Sequence, residues 1–116
     1  MPTGAQVVSG QAVLNQNGNR LDINQTSDKA ILNWNSFSIG SAAQVNFNQP
    51  GSNSVALNRV IGTDPSAIYG SLTANGQVFL VNPSGVLFGS GARVDVGGLV
   101  ASSMNITNAD FLSGNN

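Results

Sequence analysis

Ser54-Val55-Ala56-Leu57-Asn58-Arg59-Val60 and Gln77-Val78-Phe79-Leu80-Val81-Asn82-Pro83-Ser84-Gly85 are the two stretches whose relation decides the fold. Val55-Ala56-Leu57 returns 23 positions later as Val78-Phe79-Leu80, and Asn53 and Gly76 each stand two positions before those runs. Val45 and Phe47 return at the same 23-residue offset as Ile68 and Gly70. A period in the low twenties, made of short strands and polar corners, is one turn of a β-solenoid. In a solenoid each coil stacks on the last at about 4.8 Å, with alternate side chains pointing into a narrow core. The repeat loses its register after Gly89. The competing all-β architecture is an antiparallel sandwich, and Gln16-Asn17-Gly18-Asn19 reads as a hairpin loop because Asn-Gly accepts positive φ. The spacing beyond Gln44 favours the solenoid.

Working outward, short alternating runs recur along the chain. They cover Gln6–Val8, Ala12–Leu14, Arg20–Ile23, Ala30–Trp34, Gln44–Phe47 and Ser54–Val60. They continue at Ala67–Leu72, Gln77–Val81, Val86–Phe88, Arg93–Val96, Leu99–Ser102 and Met104–Ile106. Gly, Asn, Pro and Ser lie between them, where turns are needed. Helix signals are weak throughout, since Glu is absent and 14 Gly interrupt every long window. The chain is therefore expected to be all-β. A solenoid has two open ends that need covering. Residues 1–40, which carry the single Trp34, are expected to cap the first end, 41–112 to form the coils, and 113–116 to be a disordered or truncated tail of a longer natural protein. Val45, Phe47, Val55, Leu57, Ile68, Leu72, Val78, Leu80, Val86, Val94 and Val96 are expected to share one core.

Composition removes several function classes. The 116 residues suit one domain. With 4 basic and 5 acidic residues the net charge is −1, so there is no basic footprint for nucleic acid or anionic lipid. Cys and His are both absent, which excludes thiol chemistry, disulfides and Cys/His zinc sites. No run approaches the roughly 20 apolar residues of a membrane span. Met1-Pro2-Thr3-Gly4 is no signal peptide, so an exported form would be the mature one. Catalysis needs convergent titratable groups, whereas Asp22, Asp28, Asp64, Asp95 and Asp110 are scattered. We expect no enzyme, no metal site and no cofactor.

A family resemblance becomes visible in an ordered set of segments. Ala30-Ile31-Leu32-Asn33-Trp34-Asn35-Ser36-Phe37-Ser38-Ile39-Gly40 resembles the W-x-x-F-x-I-G stretch of two-partner secretion domains. These are the N-terminal modules of filamentous-haemagglutinin-like exoproteins and high-molecular-weight adhesins. The similarity runs on through Val45–Pro50, Val55–Gly62, Ile68–Leu80, Val81–Gly89 and Gly97–Ser103, and spans roughly residues 6–112. The family's Asn-Pro-Asn-Gly-Ile motif reads here Asn82-Pro83-Ser84-Gly85-Val86. Its second motif, Asn-Pro-x-Leu, is missing before Val55, where Asn48-Gln49-Pro50-Gly51 stands; this places the chain nearer the high-molecular-weight adhesin branch. The resemblance implies a right-handed parallel β-helix with an N-terminal β cap. It also implies passage through the periplasm of a Gram-negative bacterium to the cell surface or medium. Recognition there would be by an outer-membrane β-barrel transporter of the Omp85 type, through its POTRA domains, with the C-terminal cargo of the exoprotein absent here. The function so implied is secretion targeting; the alternative is a structural or adhesive β-helix that binds a host receptor or glycan itself.

Six residues are singled out as partner-recognition or folding candidates: Asn82, Pro83, Ser84, Gly85, Asn58 and Arg59. For the first four, turn chemistry is a sufficient explanation: Pro fixes φ at the first central position, Gly suits the fourth, and Asn bonds the turn backbone. Direct transporter contact or nucleation of coil folding is the functional alternative. Asn58 reads as a corner residue bonding stacked backbone amides, and Arg59 as its neighbour, with a partner-binding pair as the alternative. Arg93 and Asp95 are two apart, hence on one side of a strand, and read as a solvated pair.

Overall fold

Strands form where small and β-branched residues alternate with polar ones. The structure, a computed structural model that describes residues 1–113, follows that pattern along most of the chain. β1 (Gln6–Ser9), β2 (Ala12–Asn17), β3 (Arg20–Gln25) and β4 (Lys29–Trp34) precede β5 (Gln44–Asn48) and β6 (Val55–Val60). β7 (Ser66–Ile68), β8 (Ser71–Ala74), β9 (Gln77–Val81), β10 (Val86–Phe88), β11 (Arg93–Asp95) and β12 (Gly98–Ser102) follow, and then α1 (Asn108–Ser113). Of the tail expected at 113–116, Ser113 ends α1 and the rest lies outside the described residues.

The chain winds as a parallel β-solenoid with three faces. One face is the parallel stack β4-β6-β9-β12, and a second is β3-β5-β8-β11. The third is short: Ile39 bridges Ile68 in β7, which pairs with β10. Antiparallel pairing occurs only at the first end among the described residues, where β1 adds to β4 and β2 forms a hairpin with β3. Gly18 takes φ +61° in that hairpin, as the Asn-Gly pair requires.

The register differs from the 23-residue reading, and the difference changes which side chains are inside. Val55 pairs with Gln77, Ala56 with Val78, Leu57 with Phe79 and Asn58 with Leu80. The true step from β6 to β9 is one residue shorter. Because side chains alternate, a slip of one moves a strand's whole set to the other face. Ala56, Asn58 and Val60 thus point inward, while Val55 and Leu57 point outward into a second apolar cluster. Val45 pairs with Leu72 of β8, and Ile68 belongs to the third face, so the Val45–Ile68 match crosses faces. Of the expected core, Val45, Phe47, Ile68, Leu72, Val78 and Leu80 are buried in the main cluster, and Val86 and Val96 pack against it. Val94 is 38% exposed, because it stands on the last strand of its sheet with no coil below.

Corners are built from close backbone approach and buried amides. Ala67–Leu72 is two strands, not one, with the bend at Tyr69-Gly70. A Cβ at Gly70 would lie 2.2 Å from the Gly40 carbonyl oxygen and 2.3 Å from that of Ala43, so no side chain fits. At another corner the buried Gln49 amide accepts from Gly76 N–H (2.8 Å) and donates to the Gln77 carbonyl (3.1 Å) and to Gln25 Oε1 (3.3 Å). Gln25 in turn donates to the Ser27, Asp28 and Val55 carbonyls. These amides satisfy backbone groups that the turn exposes, as buried polar groups must be.

The last segment departs from expectation. Met104–Ile106 is not a strand, and α1 is a helical turn that the weak helix signals did not suggest. Thr107 Oγ1 accepts the Asp110 N–H (3.1 Å), a Thr N-cap with Asp in the first turn. The segment lies against the outer face of the β4-β6-β9-β12 sheet, with Phe111 in the second cluster beside Ile31, Leu57, Phe79 and Val81.

Candidate functional site

The Asn82-Pro83-Ser84-Gly85 turn follows β9 directly, and its first residue is fully buried. Asn82 Nδ2 donates to the Asp64 carbonyl (2.9 Å) and to Ser66 Oγ (2.9 Å). Its Oδ1 accepts the Ser84 N–H (2.9 Å), and its carbonyl accepts the Gly85 N–H (2.9 Å), which closes the turn. Its own N–H reaches the Ser102 carbonyl of the next coil (2.9 Å). One side chain therefore ties three stretches together: the loop before β7, β7 itself and its own turn. Gly85 has φ +107°, a region open to Gly at little cost. Its carbonyl accepts the Ser66 N–H (2.9 Å), and Ser84 Oγ donates to the Thr63 carbonyl (3.0 Å). Pro83 and Ser84 are exposed at the surface. The motif thus divides into a buried Asn and a Pro-Ser tip presented to solvent.

Asn58 and Arg59 do not share a face: they are neighbours within β6 and point to opposite sides. Asn58 is fully buried in mid-strand rather than at a corner. Its Oδ1 accepts the Trp34 indole N–H (2.9 Å), and its Nδ2 donates to the Phe79 carbonyl (3.2 Å). It replaces an apolar side chain in the inward column Leu32–Asn58–Leu80 and anchors the tryptophan, whose ring meets Phe37 edge-on at 5.3 Å. Arg59 points outward and clasps the last segment. Its Nε donates to Asn105 Oδ1 (2.9 Å), one terminal nitrogen to Asn108 Oδ1 (2.7 Å) and the other to the Ile106 carbonyl. Burial pushes the Arg59 guanidinium below its usual pKa. Neither residue is joined to the Asn82 turn by any of these bonds.

Titratable groups stay dispersed. Arg20 and Asp22 form the one salt bridge among the described residues (3.1 Å), and the Arg20 hydrogen bond holds the Asp22 carboxyl below its ordinary range. Arg93 and Asp95 are both exposed on β11 and are not bridged. Among the described residues no three acidic or metal-binding side chains gather as a metal site would need. Among the described residues no helix is long and apolar enough to cross a membrane.

What the sequence reading missed is the outer face of the β4-β6-β9-β12 sheet. Ile31, Leu57, Phe79 and Val100 form an outward column in register, beside Asn33, Arg59, Val81 and Ser102. Phe111 covers the first three of that apolar column, meeting Phe79 edge-on at 5.5 Å. Lys29 Nζ donates to the Leu112 carbonyl (2.9 Å). A signal was available: Ala30-Ile31-Leu32 and Val78-Phe79-Leu80-Val81 are unbroken apolar runs. Such runs mean burial on both faces of a strand.

Comparison with known proteins matches these features to one family. A family model described as the TPS secretion domain matches residues 1–116. The chain is similar to a heme/hemopexin-binding protein of Haemophilus influenzae strain Rd, 44% identical over 106 residues, covering 91% of this chain and 12% of that protein. A second Haemophilus influenzae heme/hemopexin-binding protein is 48% identical over 87 residues, 75% of this chain and 9% of that protein. In three dimensions the chain resembles the crystal structure of the HMW1 secretion domain from Haemophilus influenzae, with a TM-score of 0.94 and 37% identity. That match covers 98% of this chain and 30% of the other.

Proposed function

Since the chain belongs to the TPS secretion domain family, we propose that it is the secretion-targeting module of a large exported adhesin-type protein, recognised in the periplasm by an Omp85-type outer-membrane transporter through its POTRA domains. The family is one of secretion domains rather than enzymes. The observation that carries the reading is the full-length family match together with a close structural likeness to another secretion domain. On this reading the protein transits the periplasm of a Gram-negative bacterium and reaches the surface or medium. The segment up to residue 40 then acts as the cap through its antiparallel strands β1 and β2, but it also contains β3 and β4, the first rungs of the two long parallel stacks. Of residues 41–112, the strands to Ser102 supply the later coils, while the stretch after them lies outside the coils and ends in α1.

The Asn82 turn has two separable parts in this proposal. Asn82 fixes the fold of its loop, while the exposed Pro83-Ser84 tip is the part able to meet the transporter. The test is secretion of the whole exoprotein beside its transporter, with Asn82→Ala and the tip variant Pro83→Ala, Ser84→Ala made separately. Asn82→Ala should lower both the melting temperature and secretion. A tip that recognises the transporter predicts a Pro83→Ala, Ser84→Ala protein that stays folded and accumulates in the periplasm. Normal export of that folded protein overturns tip recognition, and normal export of an exoprotein lacking the whole segment overturns secretion targeting.

A second reading is favoured by the names of the two relatives, which describe proteins that bind heme and hemopexin. This chain spans 12% and 9% of them. Direct binding of a host ligand by the isolated chain, tested with purified hemopexin and a titration microcalorimeter, would support an adhesive role; its absence leaves such binding to the remainder of the protein.

A further inference from the structure

The outward column Ile31–Leu57–Phe79–Val100 is a groove whose occupant does not match it in charge. The strap, residues 103–112, lays Phe111 over the first three rungs. It leaves the fourth open: Val100 is 45% exposed. A cavity of about 370 Å³ continues there between Phe79, Val81, Val100, Ser102, Met104 and Ile106. Two of the chain's four cations, Lys29 and Arg59, stand on this face. Every group the strap offers them is neutral: two Asn side chains and the carbonyls of Ile106 and Leu112. Asp110, the carboxylate on the strap, pairs with neither cation. Beside Arg59 in register, Asn33 Oδ1 is buried with no hydrogen-bond partner. The Arg59 bonds to neutral acceptors are already charge-assisted, but a carboxylate would add opposite charge and a bidentate fit to the guanidinium. An orphaned buried acceptor is unfavourable until a donor reaches it.

We propose that this groove is a docking site for an acidic, aromatic-anchored segment of the transporter's periplasmic domain, and that the strap is its neutral placeholder. The proposal rests on the secretion-targeting reading above. The incoming aromatic takes the place of Phe111, a carboxylate replaces Asn105 or Asn108 on Arg59, and a backbone N–H reaches Asn33. The strap follows in sequence every strand it covers, so it closes only after those coils exist. Until then the groove is open to a partner.

The test uses the full chain and two labelled peptides with the sequence of residues 103–112, one unaltered and one carrying Asn105→Asp and Asn108→Asp. In fluorescence anisotropy with the Phe111→Ala chain, the acidic peptide should bind at least five-fold tighter than the neutral one. That advantage should shrink as salt rises and vanish in Arg59→Gln. Phe111→Leu, which loses the ring stack but keeps apolar volume, serves if the Ala variant does not fold. Equal affinity of the two peptides, or binding by neither, overturns the groove. Separately, purified periplasmic domains of the transporter should bind Phe111→Ala several-fold tighter than the parent chain. They should bind Asn105→Asp, Asn108→Asp, whose own strap is now charged, several-fold more weakly. Identical affinity for all three overturns the transporter as occupant. Failure to bind any of them, with the peptide preference intact, overturns the secretion reading while leaving the groove's preference for acidic segments standing.

Discussion

At the scale of single residues, buried amides decide more than charges do. Asn82 makes three side-chain hydrogen bonds in a fully buried position. Removing them strands the buried Ser66 Oγ, so Asn82→Ala should cost about 1–3 kcal/mol, the range for one orphaned buried group. A chemical-denaturation midpoint unchanged within error would refute that account. Asn58 makes a cleaner case, because its partner Trp34 can be changed with it. Asn58→Leu leaves an indole N–H unpaired and should destabilise by about 1–3 kcal/mol. Adding Trp34→Phe removes the stranded donor, and the double mutant should recover part of the loss, a coupling that a double-mutant cycle measures directly. Additive losses would mean that the Trp34–Asn58 bond contributes little. Asp22 offers the pH test. The Arg20 bond lowers its folded pKa, so the pair's stabilisation is present above the ordinary carboxylate pKa of about 3.9 and is lost as pH falls through the depressed value. In an NMR titration Asp22 should protonate below the ordinary Asp value, and Arg20→Gln should return it toward that value.

At the scale of elements, corners limit the fold more than strands do. The β7–β8 bend works because Gly70 lets two carbonyls of the preceding coil approach the backbone. Ala at this position puts a methyl within 2.3 Å of both oxygens, and neither is the free end of a side chain. Gly70→Ala should therefore destabilise by more than about 3 kcal/mol, at the upper end of single-residue effects. Gly51→Ala meets open space and has no positive φ, so it should melt within a few degrees of the parent chain. Similar melting temperatures for the two variants would show that the corner can relax. The strap shows the opposite design. It is held mainly by exposed polar bonds, with Phe111 and the half-buried Ile106 as its apolar contacts, and should exchange amide hydrogens well before β6 and β9, which are enclosed on both faces.

At the scale of the whole molecule, the two ends of the solenoid differ. The first is closed by the antiparallel strands β1 and β2. At the other end β10, β11 and β12 are the outer strands of their sheets, and the core-side residues Phe88, Val94 and Leu99 are 38%, 38% and 36% exposed. An open strand edge beside uncovered apolar side chains is a template for pairing. The isolated chain should associate end to end as concentration rises, and Val94→Lys, an inward-pointing charge at that edge, should keep it monomeric. Light scattering that finds the parent chain strictly monomeric at high concentration would contradict this.

The sequence by itself determined the all-β class and nearly every strand, because alternation and turn residues are local and each leaves its mark within a few positions. The solenoid was read from a period in the low twenties, which gave the right architecture although the matches quoted for it are not register pairs. It also pointed to the family, through motifs whose order along the chain carries the information. Only the tertiary structure decided the register. A coil step is set by how much chain each corner consumes, and here it varies: Val45 meets Leu72, yet Ala56 meets Val78. One residue of error was enough to put Leu57 in the wrong cluster. The same holds for Asn58 and Arg59, which looked like one polar corner and are a core anchor and a surface clasp on opposite sides of a strand. The strap was illegible for a related reason. Six helical residues have little propensity of their own, and α1 exists because Phe111 finds an apolar column assembled from three strands far apart in sequence.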